Sequence, residues 1–285
     1  MAESDFQHVT IVGVGLLGGS VGLALKSLRP RVRIAGVGRR RASLAEALKA
    51  GAIDEAHLDV RKVAARSDLV ILATPVGAFE GYLRAIRPLL KDGAWVTDVG
   101  STKAEVVRMA GRILGRRGPF VGSHPMAGSE RKGVTHARAD LFQGATCVLT
   151  PTTATPGELV RRAERLWWML GMTVVRMSPA EHDRAVAAVS HLPHVVSALL
   201  TMLPRDVDLA VAAGGLRDMT RLAGGDAEVW RDILQTNRRP LLRAIDALER
   251  SLRRAGRLIR QGRPGPIEEF LAAAQERRAR AFGER

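Results

Sequence analysis

The sequence contains little cysteine, few aromatic residues and no obvious export signal. Cys147 is the only cysteine in 285 residues, so no internal disulfide and no cysteine-based zinc site can form. Aromatic residues make up 4% of the chain, and no recognised nucleic-acid-binding motif is present. We find no apolar run of bilayer length and no basic N-terminal segment leading into an apolar stretch. These absences predict a cytoplasmic protein that neither binds nucleic acid nor enters a membrane.

The overall composition is that of a folded globular protein, with 46% hydrophobic and 26% charged residues. The chain is long enough for two ordinary domains. Lys and Arg number 44 against 29 Asp and Glu, which gives a net charge of +15. Such a surplus fits anionic metabolites or nucleic acid, and it also fits a simple preference for arginine on a solvated surface. Charge alone therefore leaves the partner open.

The first part of the chain alternates short β-branched runs with longer helical patterns, which predicts a mostly parallel sheet flanked by helices. Strands are predicted at His8–Val14, Val32–Val37, Leu69–Thr74, Ala94–Val99, Ala145–Leu149 and Thr173–Val175. A cap residue followed by proline, or a capping box, predicts where a helix begins. Such signals occur at Thr74-Pro75, Thr102–Glu105, Thr155–Glu158 and Ser178–Glu181.

After Met177 the chain shows long apolar-periodic stretches broken by proline and glycine, and we recognise no strand there. We therefore predict two domains, a dinucleotide-binding domain over residues 1–177 and an all-helical substrate and dimerisation domain over residues 178–285. Helices with wide apolar faces are commonly buried against a second copy of the same chain. The sequence thus predicts a homodimer formed through the helical domain.

A glycine-rich turn follows the first predicted strand. It reads Gly13-Val14-Gly15-Leu16-Leu17-Gly18 and opens a helical pattern. In the dinucleotide-binding unit the first glycine makes a tight turn, the second admits the pyrophosphate, and the third lets helix and strand pack closely. The predicted cofactor-binding residues are Gly13, Gly15, Leu16, Leu17, Gly18, Arg39, Arg40, Thr74 and Pro75.

The segment after the second strand bears on the choice between NAD and NADP. NAD enzymes place an acidic residue there for the ribose 2′-hydroxyl, but this chain reads Gly38-Arg39-Arg40-Arg41. Guanidinium groups bind phosphate through charge-assisted hydrogen bonds. NADP is therefore the predicted cofactor, with NAD as the alternative, although a solvated arginine cluster would have the same sequence.

Two segments combine strand ends with reactive side chains. Asp98–Lys103 follows a predicted strand, at the sheet edge where open α/β sheets bind ligands. Gly122–Glu130 is a glycine- and proline-rich segment that contains His124. A histidine held there has a pKa suited to acid–base catalysis, and the Ser101 hydroxyl is expected nearby.

The helical part offers further polar groups. His191 and His194 lie three residues apart and therefore share one helix face. That spacing also suits a metal, but no third ligand stands at a recognisable spacing, so we predict no metal site. The segment Gly214–Arg221 and then Trp230 place arginines in a glycine-broken region, where one could pair with a substrate carboxylate.

These motifs together resemble the prephenate/arogenate dehydrogenase family of tyrosine biosynthesis. The similarity covers almost the whole chain. It includes the glycine-rich turn, D-x-x-S-x-K at Asp98–Lys103, SHPMAGSE at Ser123–Glu130, SHLPH at Ser190–His194, and G-x-x-D-x-T-R followed by tryptophan at Gly215–Trp230. The resemblance implies a nucleotide-binding domain followed by a helical dimerisation domain.

The resemblance also implies an oxidative decarboxylation of a cyclohexadiene, driven by aromatisation. By similarity, His124 and Ser101 are the catalytic residues, with His124 accepting the proton of the C4 hydroxyl and Ser101 orienting both groups. The substrate-binding residues implied by similarity are Arg221, His191, His194 and Glu130. Arg221 would pair with a substrate carboxylate, and Glu130 would belong to a polar network at the pocket entrance.

The residues leave the substrate and two competing readings open. The Gly38–Arg41 segment resembles NADP-using members that act on arogenate, whereas His194 is more typical of members that act on prephenate. A 3-hydroxyacid dehydrogenase would share the architecture, but it would be expected to have a catalytic lysine in the helical part, and every lysine here precedes Met177. A basic nucleic-acid-binding protein would account for the charge alone.

Overall fold

The computed structural model describes residues 6–128 and 131–283, and eight strands form one sheet. In chain order these are β1 His8–Val12, β2 Arg33–Val37, β3 Glu55–His57, β4 Leu69–Leu72, β5 Trp95–Asp98, β6 Phe120–Pro125, β7 Thr146–Thr150 and β8 Thr173–Arg176. The spatial order is β3-β2-β1-β4-β5-β6-β7-β8. All neighbours pair parallel except β6 and β7, which pair antiparallel.

Six helices lie between the strands, and seven more follow β8 in the described part of the chain. They are α1 Leu16–Leu28, α2 Arg41–Lys49, α3 Arg61–Ala64, α4 Phe79–Ile86, α5 Ala104–Leu114, α6 Gly157–Met169, α7 Pro179–Val186, α8 Leu192–Met202, α9 Asp206–Leu209, α10 Gly214–Thr220, α11 Ala227–Thr236, α12 Arg238–Gln261 and α13 Pro264–Phe282. A π-helical turn, Ala187–His191, joins α7 to α8, and a 3-10 turn, Arg221–Gly224, follows α10.

The first six strands have the order of a dinucleotide-binding fold, and this order determines the edge of the sheet at which a ligand is expected to bind. After β3 the chain returns to the other side of β1 to form β4, so the carboxyl ends of β1 and β4 flank the switch point. Helices cover both faces of the sheet. One buried cluster includes Leu25 of α1 and Trp167 of α6, and the other includes Phe79 of α4 and Val106 of α5. The predicted fold class is confirmed.

All six predicted strands are present, with slightly different bounds, but the sequence missed two. The strand β3 has three residues that are half-buried or exposed, so it shows no hydrophobic pattern. The strand β6 reads Phe-Val-Gly-Ser-His-Pro and is buried along its whole length. It lies between β5 and β7 and is covered on both faces, so alternation of polar and apolar residues is not required.

Of the four predicted helix starts, one has the predicted cap. At Ser178 both capping-box hydrogen bonds are present. The capping box predicted at Thr102 is wrong, because the Thr102 hydroxyl bonds Thr236 and an acidic side chain from α7 caps α5 instead. The Thr155 hydroxyl accepts from the amide of Thr152, and Thr74 makes no side-chain cap.

Residues Pro179–Met202 form one continuous helical stretch of 24 residues. Its length and composition would allow it to cross a membrane, so the expectation that no apolar run reaches that length is wrong. Buried helices of soluble proteins can be equally long and apolar, but only 28% of the most apolar window of this stretch is buried. The stretch includes the buried polar side chains of His182, Asp183 and His191.

Contacts divide the chain into two compact units, Met1–Arg238 and Arg239–Arg285. The first contains the sheet and every helix up to α11, and the second consists of the rest of α12 and α13. The boundary predicted after residue 177 separates cofactor binding from substrate binding and dimerisation, and it stays a prediction. Beyond Met177 the described residues contain helices and turns but no strand.

Candidate active site

The turn between β1 and α1 has the geometry of a phosphate-binding loop. Gly13 has φ +95°, and a Cβ built on it would lie 2.7 Å from the backbone of Ala73 and Thr74. A Cβ on Gly18 would lie 2.1 Å from the carbonyl oxygen of Gly13, which explains why the helix needs glycine to pack on the turn. Gly15, at the helix N-terminus, has open space around its Cβ position.

Other groups at this edge also suit a dinucleotide. The helix α1 has no acidic residue in its first turn and no side-chain cap, so its N–H groups can meet an anion. The buried hydroxyl of Thr74, at the end of β4, has no hydrogen-bond partner among the described residues. Arg39 and Arg40 are exposed directly after β2. The residues present therefore fit a nicotinamide dinucleotide.

A buried ion pair anchors the next strand end. The Lys103 ammonium contacts the Asp98 carboxylate, and both side chains are fully buried. Asp98 also accepts from the amides of Gly100 at 2.8 Å and Ser123 at 3.1 Å. Because Ser123 precedes His124 on β6, this carboxylate joins the end of β5 to the strand that carries the candidate base.

His124 is held by a pair of side chains from the helical part. Its Nδ1 lies 2.8 Å from Nε2 of His182, and Nδ1 of His182 lies 2.8 Å from Oδ1 of Asp183. Burial lowers the pKa of His124 well below its ordinary value, and the neighbouring His182 and Lys103 lower it further. The imidazole is therefore neutral near neutral pH, as a general base must be.

Asn237 connects this group to the histidines of the predicted substrate pocket. Its Nδ2 donates to the carbonyl oxygen of Asp183 at 2.8 Å and to Nδ1 of His191 at 2.9 Å. Burial lowers the pKa of His191 to about 4. A neutral His191 that accepts at Nδ1 carries its proton on Nε2, so it can donate a hydrogen bond to a substrate oxygen.

Trp230 joins both histidines of the pair predicted by sequence. The His194 ring stacks on it at 3.5 Å between centroids, and His191 meets it edge-on at 6.0 Å. The buried Nδ1 of His194 has no hydrogen-bond partner among the described residues. Arg221 is exposed in the 3-10 turn, which is tied to α8 by a bond from the amide of Ala223 to Ser197.

The structure thus brings His124, His191 and His194 together through a continuous series of contacts. It shows Ser101 half-buried at the end of β5, but the ring of His124 is bonded to His182 and not to Ser101. Glu130 lies outside the described residues. The roles assigned to all these side chains stay predictions. Among the described residues, no group of three His, Cys, Asp or Glu could hold a metal ion.

Three residues that complete this network were not predicted. His182 and Asp183 follow the Ser178 cap and read as ordinary helix residues, and Asn237 stands between two helices. The local feature that could have indicated His182 and Asp183 is that two ionisable side chains fall on the buried face of α7.

Two family models match consecutive parts of the chain. One is the prephenate dehydrogenase nucleotide-binding domain, over residues 21–176, and the other is the prephenate dehydrogenase dimerization domain, over residues 178–273. The chain belongs to the prephenate dehydrogenase family. It is therefore an NAD(P)-dependent dehydrogenase. The first match begins after the glycine-rich turn, so the assignment of that turn rests on its geometry.

Individual members of the family are similar to this chain over nearly its full length. Prephenate dehydrogenase of Bacillus subtilis is 35% identical, covering 95% of this chain and 75% of the relative. Prephenate dehydrogenase from Aquifex aeolicus, solved with hydroxyphenyl propionate and NAD+, is 34% identical with a TM-score of 0.93, covering 98% of this chain and 100% of that one. Synechocystis arogenate dehydrogenase is 30% identical with a TM-score of 0.82, covering 96% and 100%.

Proposed function

We propose that the enzyme catalyses the oxidative decarboxylation of prephenate to 4-hydroxyphenylpyruvate in tyrosine biosynthesis. The observation that carries this proposal is His124, a neutral buried imidazole at the ligand edge of the sheet that a series of hydrogen bonds connects to His191. Arogenate is the alternative substrate, because it differs from prephenate only in carrying an ammonium group where prephenate has a keto group. The relatives named above include enzymes for both substrates.

The chain's own residues would handle the proton and the charges. A bound nicotinamide dinucleotide supplies the acceptor for the hydride that leaves C4. His124 takes the proton of the C4 hydroxyl as the carbonyl forms, and returns it to the phenolate oxygen once CO2 has left. His191 donates to a substrate oxygen, and Arg221 pairs with a carboxylate. The rings of His124, His191 and His194 are buried, which limits the access of water to the proton transfer.

The test is a direct assay of both substrates with both cofactors. We expect absorbance of the reduced nicotinamide to appear with prephenate, together with release of one CO2 per turnover. Activity with arogenate alone would replace prephenate by the alternative. Inactivity with all four combinations would contradict the proposed reaction.

NADP is the cofactor that we propose, because Arg39 and Arg40 lie exposed directly after β2, in a segment, Gly38–Arg41, that contains no acidic residue. Changing both to serine is expected to raise the KM for NADP by about 10- to 100-fold, since hydrogen bonds to charged groups contribute roughly 1.5–3 kcal/mol. The KM for NAD should change little. The matched control is Arg31→Ser, at the other end of β2, which should leave both constants unchanged.

Arg221→Ala is expected to raise the KM for prephenate by about 10-fold or more, while kcat changes less, because a carboxylate is bound similarly before and during the reaction. Steady-state kinetics at saturating NADP measure both constants. Arg217→Ala, one helical turn earlier, is the control and should behave like the wild type. A selective loss of kcat would contradict a binding role for Arg221.

We further propose that the enzyme is a homodimer. The matched dimerization-domain model and a set of exposed apolar side chains support this. In the helical part after Met177, the exposed apolar side chains of the first unit include Val189, Leu199, Met202, Leu203, Val207, Val211 and Met219. Light scattering should give about twice the 30.8 kDa mass of the chain. A monomeric mass at micromolar concentration would contradict the proposal.

A further inference from the structure

The contacts of Asp183 determine which nitrogens of two histidines carry protons. A carboxylate only accepts hydrogen bonds. Oδ1 of Asp183 accepts from the amide of Lys103 at 2.8 Å, and Oδ2 accepts from the amide of Ala104 at 2.9 Å. Since these two backbone amides hold the carboxylate at the start of α5, its contact with Nδ1 of His182 must be a donation from that ring nitrogen.

The direction of the next bond follows from this one. When His182 carries a single ring proton, on Nδ1, its Nε2 is bare and accepts a hydrogen bond. The atom 2.8 Å away is Nδ1 of His124, so in that state this nitrogen carries the proton. Nε2 of His124 is then unprotonated, and it has no hydrogen-bond partner among the described residues. This is the protonation state that a base acting on a hydroxyl needs.

We propose that Asp183 and His182 are positioning residues that fix His124 in the Nδ1–H tautomer. The inference rests on the proposed function, in which Nε2 of His124 receives the hydroxyl proton. The chain of bonds also runs between the two matched family domains, because His124 lies in the first and His182 and Asp183 lie in the second. The same carboxylate caps α5, so one side chain sets both the helix start and the tautomer.

Histidine tautomers are measured directly by ¹⁵N NMR, because protonated and bare ring nitrogens have well separated shifts. The free wild-type enzyme, labelled at histidine, is expected to show His124 and His182 each protonated on Nδ1 and bare on Nε2. His124→Ala and His182→Gln assign the signals among the 7 histidines. A proton on Nε2 of His124 would overturn the proposal. This readout needs no substrate, so it stands apart from any failure of the proposed reaction.

The link to Asp183 is tested by Asp183→Ala. We expect His124 to lose its single tautomer and to give averaged or doubled nitrogen signals. Asp68→Ala is the matched control, because Asp68 also accepts two backbone amides, those of Gln7 and His8, at the opposite end of the sheet. The control should leave the His124 signals unchanged. Unchanged signals in Asp183→Ala would overturn the role of Asp183.

Kinetics separate hydrogen bonding from packing at His182. In the His182→Gln variant the side-chain carbonyl oxygen can still accept the hydrogen bond from His124. The side chain of the His182→Leu variant fills similar space but cannot accept a hydrogen bond. We expect kcat to fall by about 10²-fold in the leucine variant and to stay within about 10-fold of wild type in the glutamine variant. KM for the cofactor should change little in either. Equal losses in the two variants would overturn the proposal.

Discussion

His124→Ala is expected to lower kcat by about 10²- to 10⁴-fold, which is the usual contribution of a positioned acid–base group. Without the imidazole, no other described group shares its position between the end of β6 and the histidines of the helical part. Rapid-mixing or steady-state assays at saturating prephenate and NADP measure the change. The dissociation constant of NADP, obtained from fluorescence titration, should stay within a few-fold of wild type.

His136→Ala is the matched control, because His136 lies in the 3-10 turn Val134–His136 outside the network. It should leave kcat unchanged. His124→Gln is a second useful variant, because its amide can hydrogen-bond but cannot take a proton at neutral pH. If the alanine and glutamine variants both kept kcat near wild type, proton transfer to His124 would not be part of the reaction.

The fold was predictable because its signals are local. A β-branched run followed by a glycine-rich turn identifies β1 and α1, and the third glycine is required by a contact only 2.1 Å from Gly13. The strands β3 and β6 were not predicted, and the reasons differ. The strand β3 is too short to show a pattern, and β6 contains glycine and proline, which are uncommon in strands. The strand that carries His124 therefore lacks the usual sequence pattern of a strand.

The site was predictable only where unusual residues stand in unusual segments. His124 and His194 adjoin a proline, and His191 stands two residues before Pro193, so the local sequence distinguishes all three. The groups that orient them are separated from their partners by long stretches of chain, as Asp183 is from the amides of Lys103 and Ala104. The local sequence pattern predicted Thr102 as the cap of α5. No short-range pattern can indicate that a carboxylate from another helix will displace it.

The buried ion pair gives the largest expected effect on stability. Lys103→Met keeps the length of the side chain but leaves the Asp98 carboxylate buried without its counter-charge. Breaking a fully buried pair in this way typically costs about 3–5 kcal/mol. We therefore expect the free energy of unfolding, measured by urea titration and circular dichroism, to fall by about that amount. Activity should fall as well, because Asp98 also holds the amide of Ser123 beside His124.

Two comparisons separate the ion pair from a general effect of losing a lysine. Lys91→Met removes a lysine that contacts Asp68 at 2.6 Å with 40% of its side chain exposed, and it should cost less than about 1 kcal/mol. The double variant Asp98→Asn with Lys103→Met removes both charges, and it should recover much of the loss, because the remaining amide oxygen still accepts a backbone N–H. Equal destabilisation by the two single lysine variants would mean that Lys103 contributes through packing and not through its charge.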